Sequence, residues 1–249
     1  MRRPTAPPLA PDDQARADGF HRIAGVDEAG RGPWAGPVVA AAVILRTRRL
    51  PVRIDDSKRL TPLERARAFR VILDHAAVGF GIVCADEIDH RNILQAALLA
   101  MQQAMEDLPA PPELFLIDGP IAPRSAIPCR PIVRGDQCSY VIGCASIMAK
   151  VLRDRLMAFY HELAPDYALD RHKGYGTALH AQRLRALGPS VFHRRSFRPV
   201  RELLPSGAPR AAYSGEAAAS VAKVGSPWHP IGPPVGRNRS EARRAKEGG

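Results

Sequence analysis

The sequence predicts a mixed α/β domain in which helices cover a β-sheet, and two patterns support this class. Short runs rich in β-branched residues and alanine, bounded by glycine, proline or aspartate, recur along the chain and are typical of strands. Elsewhere, apolar residues recur every three or four positions, which indicates amphipathic helices. The chain has 249 residues, 45% of them hydrophobic, which is enough for one well-buried domain. Strands and helices in this order indicate a sheet flanked by helices.

The first half of the chain is predicted to form three strands and two helices. Residues 23–26 and 38–45 are expected to be strands joined by a tight glycine-rich turn. A helix should begin after Thr61, because Thr-Pro-Leu-Glu is a capping box with proline at the first helical position. Residues 78–84 predict a third strand. One helix is expected from Asp86, with apolar residues on one face up to residue 108.

The second half is predicted to contain two more strands, followed by helices. The strands are expected at residues 114–117 and 127–133. Apolar residues at helical spacing from 145 to 163 predict a long helix. Thr177 should cap a last helix that runs to about residue 187, where Gly188-Pro189 would end it.

Charge and cysteine usage narrow the function classes. The chain has 36 Lys+Arg against 25 Asp+Glu, a net charge of +11, which favours a polyanionic partner such as nucleic acid. A basic protein without such a partner would share this charge. The four cysteines form no C-x-x-C pair and are expected to be reduced thiols of a cytoplasmic protein. Neither a signal peptide nor a membrane span is expected, because no apolar stretch is long enough.

Both ends of the chain are expected to be disordered. Residues 1–19 contain four prolines and no periodic pattern, and residues 205–249 contain six prolines and seven glycines. Seven Lys/Arg and three Glu give the second segment a charge of +4. One folded domain is therefore predicted at residues 20–204.

Acidic residues follow three of the predicted strands: Asp27 and Glu28 the first, Asp118 the fourth and Asp136 the fifth. Side chains at strand ends converge in such sheets, and clustered carboxylates repel one another unless a cation neutralises them. Oxygen ligands without histidine or thiolate favour Mg²⁺ or Mn²⁺. Because successive strand residues face opposite sides, Asp27 and Glu28 are expected to share a cation only if the strand breaks there. Taken singly, each aspartate could be a turn or cap residue, and for Asp118-Gly119 alone that interpretation would be preferred.

Three further segments are candidates for binding a nucleic acid. Ser57 and Lys58 precede a helix, where such a loop binds phosphate, although a solvated turn is a fair alternative. Tyr175 lies between glycines and is well placed to stack on a sugar or base. Residues 193–198 are basic, so they are expected either to contact phosphates or to form a charged surface.

Taken together and in this order, the motifs resemble those of the ribonuclease HII family. The matching segments are residues 26–33 (VDEAGRGP), 56–58 (DSK), 117–119 (IDG), 134–136 (RGD), 145–154 (ASIMAKVLRD), 172–175 (HKGY) and 193–197 (HRRSF). The resemblance covers about residues 20–203, so it includes nearly all of the predicted domain and neither end.

The resemblance implies a ribonuclease H-like fold, a mixed five-stranded sheet flanked by helices with a small C-terminal helical extension, as the catalytic domain. It implies that four carboxylates are both catalytic residues and ligands of Mn²⁺ or Mg²⁺, namely Asp27, Glu28, Asp118 and Asp136. It also implies that Gly30, Arg31, Gly32 and Tyr175 read the junction between ribose and deoxyribose.

The activity implied by the resemblance is two-metal hydrolysis of the RNA strand of RNA–DNA hybrids and cleavage at ribonucleotides embedded in duplex DNA. The products would carry 3′-hydroxyl and 5′-phosphate ends, and the roles would be ribonucleotide removal and RNA primer degradation. The protein is expected to act on these nucleic acids as a monomer, without a membrane. Asp154, one helical turn from Lys150, is expected to pair with it or support the site rather than bind metal.

Two other classes of function share parts of this pattern. A nucleic-acid-binding module could use the carboxylates only as turn residues, and metal-dependent cleavage would exclude it. Another metal-dependent phosphoesterase could use the same ligands, on long hybrids or on small substrates. Comparing a duplex that contains one ribonucleotide with an all-RNA hybrid would separate these.

Overall fold

A five-stranded mixed sheet forms the centre of the protein in the computed structural model, which describes residues 10–204. Its strands are β1 (Ile23–Ala29), β2 (Val38–Leu45), β3 (Ala76–Val83), β4 (Leu114–Asp118) and β5 (Cys129–Ile132). They lie in the order β3-β2-β1-β4-β5. The first three are antiparallel neighbours, whereas β4 is parallel to β1 and β5 is parallel to β4. β1 is therefore central, and it ends beside the end of β4.

Helices cover both faces of this sheet. They are α1 (Pro11–Ala17), α2 (Pro62–His75), α3 (Ala85–Arg91), α4 (Ile93–Glu106), α5 (Gly135–Cys138), α6 (Tyr140–Leu163), a 3₁₀ helix (Pro165–Tyr167), α7 (Leu169–His172), α8 (Ala178–Leu187) and α9 (Arg198–Arg201). One core lies between the sheet and α4, and the other between the sheet, α2 and α6. The predicted five-stranded sheet flanked by helices is confirmed, and α7 to α9 form the small C-terminal extension.

Small residues allow the helices to lie close to the sheet. A Cβ atom added to Gly25 of β1 would lie 2.3 Å from the backbone of Val141, so α6 begins directly against the central strand. On the other face, a Cβ atom on Gly79 of β3 would lie 2.2 Å from the carbonyl oxygen of Ala104 in α4. Such approaches leave no space for larger side chains. The approach at Gly25 brings the start of α6 against β1.

Several predicted boundaries were wrong. The segment after Asp86 forms two helices, because Asn92 adopts a positive φ of 71° and its side chain caps α4 by accepting hydrogen bonds from the amides of Leu94 and Gln95. β1 is longer than predicted and β5 is shorter. The turn between β1 and β2 is not tight, since residues 30–37 separate these strands.

The expectation of disorder in residues 1–19 is wrong for the part that the structure describes. Helix α1 packs Ala15 into an apolar cluster, and the Asp12 carboxylate accepts hydrogen bonds from the amides of Tyr140 and Val141, at 2.9 and 3.0 Å. This carboxylate caps the long helix α6, which the proline-rich composition did not reveal. Residues 1–9 and 205–249 lie outside the described residues. Between residues 10 and 204, no helix is long and apolar enough to cross a membrane.

Candidate active site

Three of the predicted carboxylates lie together at the ends of β1 and β4. Asp27, Glu28 and Asp118 each offer an oxygen atom, and these atoms lie within 4.8 Å of one another. The two strands are parallel and their pairing ends at Val26 and Ile117, so the residues that follow are neighbours in space. We call these three residues the carboxylate cluster.

The predicted strand break at Asp27 and Glu28 does not occur. β1 continues to pair with β2 as far as Ala29, which lies opposite Val39. Its pairing with β4 has already ended, so this edge of β1 is open. The Asp27 carboxylate turns towards its own backbone and accepts a hydrogen bond from the Glu28 amide at 2.7 Å. The open edge and the longer Glu28 side chain allow both carboxylates to reach the same point without a break.

Asp136 lies beside the carboxylate cluster but does not belong to the closest group. It is in the first turn of α5, after Arg134, which adopts the left-handed conformation with φ 57°. The Asp136 amide donates to the Asp118 carboxylate at 3.3 Å. Asp136 also lines the same cleft as the cluster. The structure therefore brings all four predicted carboxylates to one cleft, with three in mutual contact distance.

Burial and mutual repulsion disfavour the charged forms of these acids. The pKa of Asp27 lies well above its ordinary value, because of burial first and then the charges of Glu28 and Asp118, and a hydrogen bond with Ser146 opposes the shift. Burial also raises the pKa of Glu28, against the effect of Arg31, whose guanidinium lies 3.2 Å away. The pKa of Asp136 is raised by burial and by Asp118.

The carboxylate cluster fits a divalent metal ion. The Glu28 Oε2 atom is buried and has no hydrogen-bond donor among the described residues. Such an acceptor is costly unless a cation approaches it. All three residues of the cluster offer carboxylate oxygens, which suit Mg²⁺ or Mn²⁺ better than the softer metals.

A cleft of about 510 Å³ contains the carboxylate cluster and every predicted substrate-binding residue. Those residues are Gly30, Arg31, Gly32, Ser57, Lys58 and Tyr175. Lys58 is exposed, whereas Ser57 is buried and its Oγ lies 3.1 Å from that of Ser146.

Two further residues of α6, Ser146 and Lys150, line the cleft. Sequence analysis did not assign either of them to the site. The available signal was their spacing of one helical turn, which places both on the helix face that begins beside β1. Lys150 donates to Asp154 at 2.6 Å, so the expected ion pair is present.

Two loops form the side of the cleft next to the carboxylate cluster. We call residues 30–37 the glycine loop and residues 172–177 the tyrosine loop. The Trp34 amide donates to the Gly174 carbonyl at 2.8 Å, and the Trp34 ring packs where a Cβ atom on Gly176 would lie. Tyr175 is 44% exposed, so its ring is accessible from the cleft. The two loops therefore form one surface, with Tyr175 beside Gly32.

Neither expectation for residues 193–198 describes His193 and Arg194. These side chains are 2% and 0% exposed, so they form neither a charged surface nor a phosphate contact. Burial lowers the pKa of Arg194 to about 9. A one-letter sequence shows that a residue is basic but not that it is buried.

Three buried histidines support the tyrosine loop: His172 at its first position, and His180 and His193 behind it. The rings of His172 and His180 stack at 4.2 Å, and the Nε2 atoms of His180 and His193 lie 3.0 Å apart. The Nδ1 atom of His180 hydrogen-bonds with the Tyr175 carbonyl at 2.9 Å. Burial lowers the pKa of His180 to about 4 and that of His193 to about 3, so both rings are neutral near pH 7.

Known proteins resemble this chain in sequence and in fold. Residues 24–200 match the family model of ribonuclease HII. The ribonuclease HII of Chlamydia muridarum is 48% identical over 198 residues, which cover 79% of this chain and 91% of that protein. Among solved structures, the ribonuclease H2 of Pyrococcus horikoshii has a TM-score of 0.63 at 22% identity, covering 74% of this chain and 97% of that one. A structure described as Bst-RNase HIII in complex with Mn²⁺ has a TM-score of 0.56 at 19% identity, covering 76% and 71%.

Proposed function

Because the chain belongs to the ribonuclease HII family, we propose that it hydrolyses the RNA strand of RNA–DNA hybrids and cuts at ribonucleotides embedded in duplex DNA. The products would carry 3′-hydroxyl and 5′-phosphate ends. The observation that carries this proposal is the carboxylate cluster in a cleft whose other side is formed by the glycine and tyrosine loops. Its roles would be ribonucleotide removal from DNA and degradation of RNA primers.

The proposed metal ligands are Asp27, Glu28, Asp118 and Asp136, with Mn²⁺ or Mg²⁺ as the ion. Bound ions would supply an activated water and neutralise the charge on the leaving oxygen, as in two-metal phosphodiester hydrolysis. The chain itself holds Asp27, Glu28 and Asp118 within 4.8 Å of one another and Asp136 in the same cleft. Arg31 and Ser146 favour the charged forms of Glu28 and Asp27. The Mn²⁺ complex of the RNase HIII relative supports this choice of ion.

The proposed reader of the ribose is the surface formed by Gly30, Arg31, Gly32 and Tyr175. Gly32 supports this role because a Cβ atom there would meet only the Tyr175 ring, at 3.9 Å, among the described residues. The fold therefore has no steric need for glycine at this position, so the missing side chain leaves space for a ligand. A 2′-hydroxyl both donates and accepts hydrogen bonds, and the exposed tyrosine ring is suited to pack against the neighbouring sugar.

The phosphate backbone is proposed to contact Ser57 and Lys58, which line the same cleft. Lys58 is exposed and lines the cleft with the carboxylates. Its ammonium would neutralise phosphate charge, which is the sequence-independent part of nucleic-acid affinity. The proposed state is a monomer, and the proposed substrates support the cytoplasm as its location.

Three matched duplexes test this function. One contains a single ribonucleotide in DNA, one has an all-RNA strand opposite DNA, and one is DNA only. We expect Mg²⁺- or Mn²⁺-dependent cleavage of the first two, with 5′-phosphate ends, and none of the third. Binding without cleavage would support the binding-module alternative. Cleavage of the all-RNA hybrid alone would indicate a nuclease restricted to long hybrids.

A further inference from the structure

Two buried arginines, Arg153 and Arg194, lie behind the glycine loop and are 1% and 0% exposed. Their seven guanidinium hydrogen bonds all go to main-chain carbonyl oxygens. Removing a guanidinium from water is costly, so a fold keeps one only where its donors are well used. We infer that Arg194, assisted by Arg153, is a positioning residue that sets selectivity for ribose by fixing the backbone of the glycine loop. This inference rests on the proposed function and adds a cause for its selectivity.

Arg194 holds most of the glycine loop from a segment far along the chain. Its guanidinium donates to four carbonyl oxygens, those of Gly30, Arg31, Pro33 and Gly36, at 2.6 to 3.0 Å. Its own amide donates to the carbonyl of Trp34 at 2.8 Å. A single residue therefore determines the orientation of five peptide groups of this loop.

Arg153 of α6 contacts further carbonyl oxygens of the glycine loop and connects this loop to the tyrosine loop. It donates to the carbonyls of Pro37 and Ala35 in the glycine loop, at 3.0 and 3.2 Å, and to the carbonyl of Lys173 in the tyrosine loop at 3.0 Å. With Arg194, it engages seven of the eight carbonyls of residues 30–37, all except that of Gly32. The backbone of the loop is thus fixed from behind along almost its whole length.

The fixed carbonyls leave three amides for a ligand. Within residues 10–204, no acceptor is found for the amides of Gly30, Arg31 and Gly32, and all three residues line the cleft. Trp34 and Gly36, by contrast, donate to the carbonyls of Gly174 and Phe192. Backbone donors held in advance lose little freedom when they bind, so a firmly held loop discriminates better than a mobile one.

Only arginine can make this set of contacts. A guanidinium has five N–H donors in a rigid planar fork, whereas the lysine ammonium has three donors at one point. Lysine at position 194 would keep the charge but could not reach carbonyls of Gly30 and Gly36 at once. The Arg194→Lys variant therefore separates donor geometry from charge.

The test compares binding to two duplexes that differ only in one 2′-hydroxyl, measured with Ca²⁺ in place of the active ions. We expect wild-type protein to prefer the duplex with the ribonucleotide. Arg194→Lys should lose about tenfold of that preference, the value of one hydrogen bond to the ribose, at unchanged affinity for the all-DNA duplex. Mn²⁺ affinity measured by calorimetry should not change, because the carboxylates lie on other elements. A purely structural role would reduce binding to both duplexes together.

Arg201→Lys is the matched control, since it makes the same change at an exposed arginine of α9. It should behave as wild type, and Arg153→Lys should lose part of the preference. Wild-type preference in Arg194→Lys, or equal losses on both duplexes, would overturn the inference. If Arg194→Lys does not fold, Arg153→Lys decides by the same criterion, and unfolding of both variants would overturn the inference too. Wild-type protein without any ribose preference would instead contradict the proposed function.

Discussion

The two sides of the cleft are held in place in different ways. The carboxylate cluster lies at the ends of paired strands, so the pairing of Asp27 with β2 and of Asp118 with β5 holds both residues in position. The glycine and tyrosine loops have no such ladder and depend on the side chains of Arg153, Arg194 and His180. An acid of the cluster can therefore be replaced without loss of the fold, whereas a support of the loops cannot be replaced without moving what it holds.

The two sides of the cleft also contribute to the stability of the fold with opposite signs. In the absence of a cation, burial and like charges make the ionised cluster unfavourable, as the raised pKa values of Asp27 and Glu28 show. Behind the loops, buried hydrogen bonds are satisfied and stabilise the fold. The carboxylate cluster, where a metal ion is proposed to bind, therefore destabilises the metal-free fold. The hydrogen bonds behind the loops stabilise the fold and fix the loops before substrate binds.

The largest effect is expected for Asp27→Asn. This change keeps the size of the side chain and removes a charge that the proposed cation needs, so cleavage should fall by about 10³-fold or more. The metal-free protein should become no less stable to urea. A raised folded pKa means that Asp27 favours the fold when protonated and that this contribution is lost as pH rises through the folded pKa. At neutral pH the charge of Asp27 therefore destabilises the fold, and asparagine removes that charge. Wild-type activity of this variant in Mg²⁺ would show that the metal centre is assigned wrongly.

The next effect concerns the exposed ring in the tyrosine loop. Tyr175→Ala should reduce cleavage at single ribonucleotides by about 10- to 100-fold, the usual value of one stacked ring, while metal titrations stay unchanged. If stacking contributes more than the hydroxyl, Tyr175→Phe should keep more activity than the alanine variant. Both variants are to be measured on a duplex with one ribonucleotide. Wild-type cleavage by the alanine variant would leave residues 172–177 as an ordinary surface turn.

The same two sides of the cleft differ in how well the sequence predicted them. The grouping of Asp27, Glu28 and Asp118 could be predicted because each follows a predicted strand that its own neighbours reveal. The supports of the loops could not, because Arg194 contacts residues more than 150 positions away and its charge suggested the surface. The same holds for Asp12, whose partners at the start of α6 lie 128 and 129 positions away. Local patterns predict elements and strand ends, whereas long-range side-chain contacts to the backbone leave no local pattern.

A third prediction uses pH to test the support of the tyrosine loop. His193 and His180 have folded pKa values of about 3 and about 4, below the ordinary 6.5, so the neutral forms stabilise the fold. That contribution is complete above pH 6.5 and is lost as pH falls towards the folded values. Between pH 7 and pH 5, each histidine should account for a loss of about 2 kcal/mol.

Urea denaturation of metal-free protein at these two pH values measures this contribution, with His193→Gln as the comparison. The variant should lose about 2 kcal/mol less than wild type on acidification. The carboxylates of the cluster shift stability in the opposite direction, but they do so in both proteins, and the difference isolates His193. Equal losses in the two proteins would mean that His193 is not held neutral.

The smallest effect is expected from removing a segment beyond the described residues. Deleting residues 205–249 removes a charge of +4 and keeps every residue between 10 and 204 that lines the cleft. Affinity for duplex should fall, and the plot of log affinity against log salt should become shallower by about 0.9 for each phosphate that the shortened protein no longer neutralises. Hydrolysis at saturating substrate and the preference for ribose should persist, because the carboxylates and both loops remain. An unchanged salt slope would mean that these residues do not contact nucleic acid. A lower rate of hydrolysis at saturating substrate would show that hydrolysis also depends on residues 205–249. The description of the cleft as a metal-binding side and a ribose-reading side would then be incomplete.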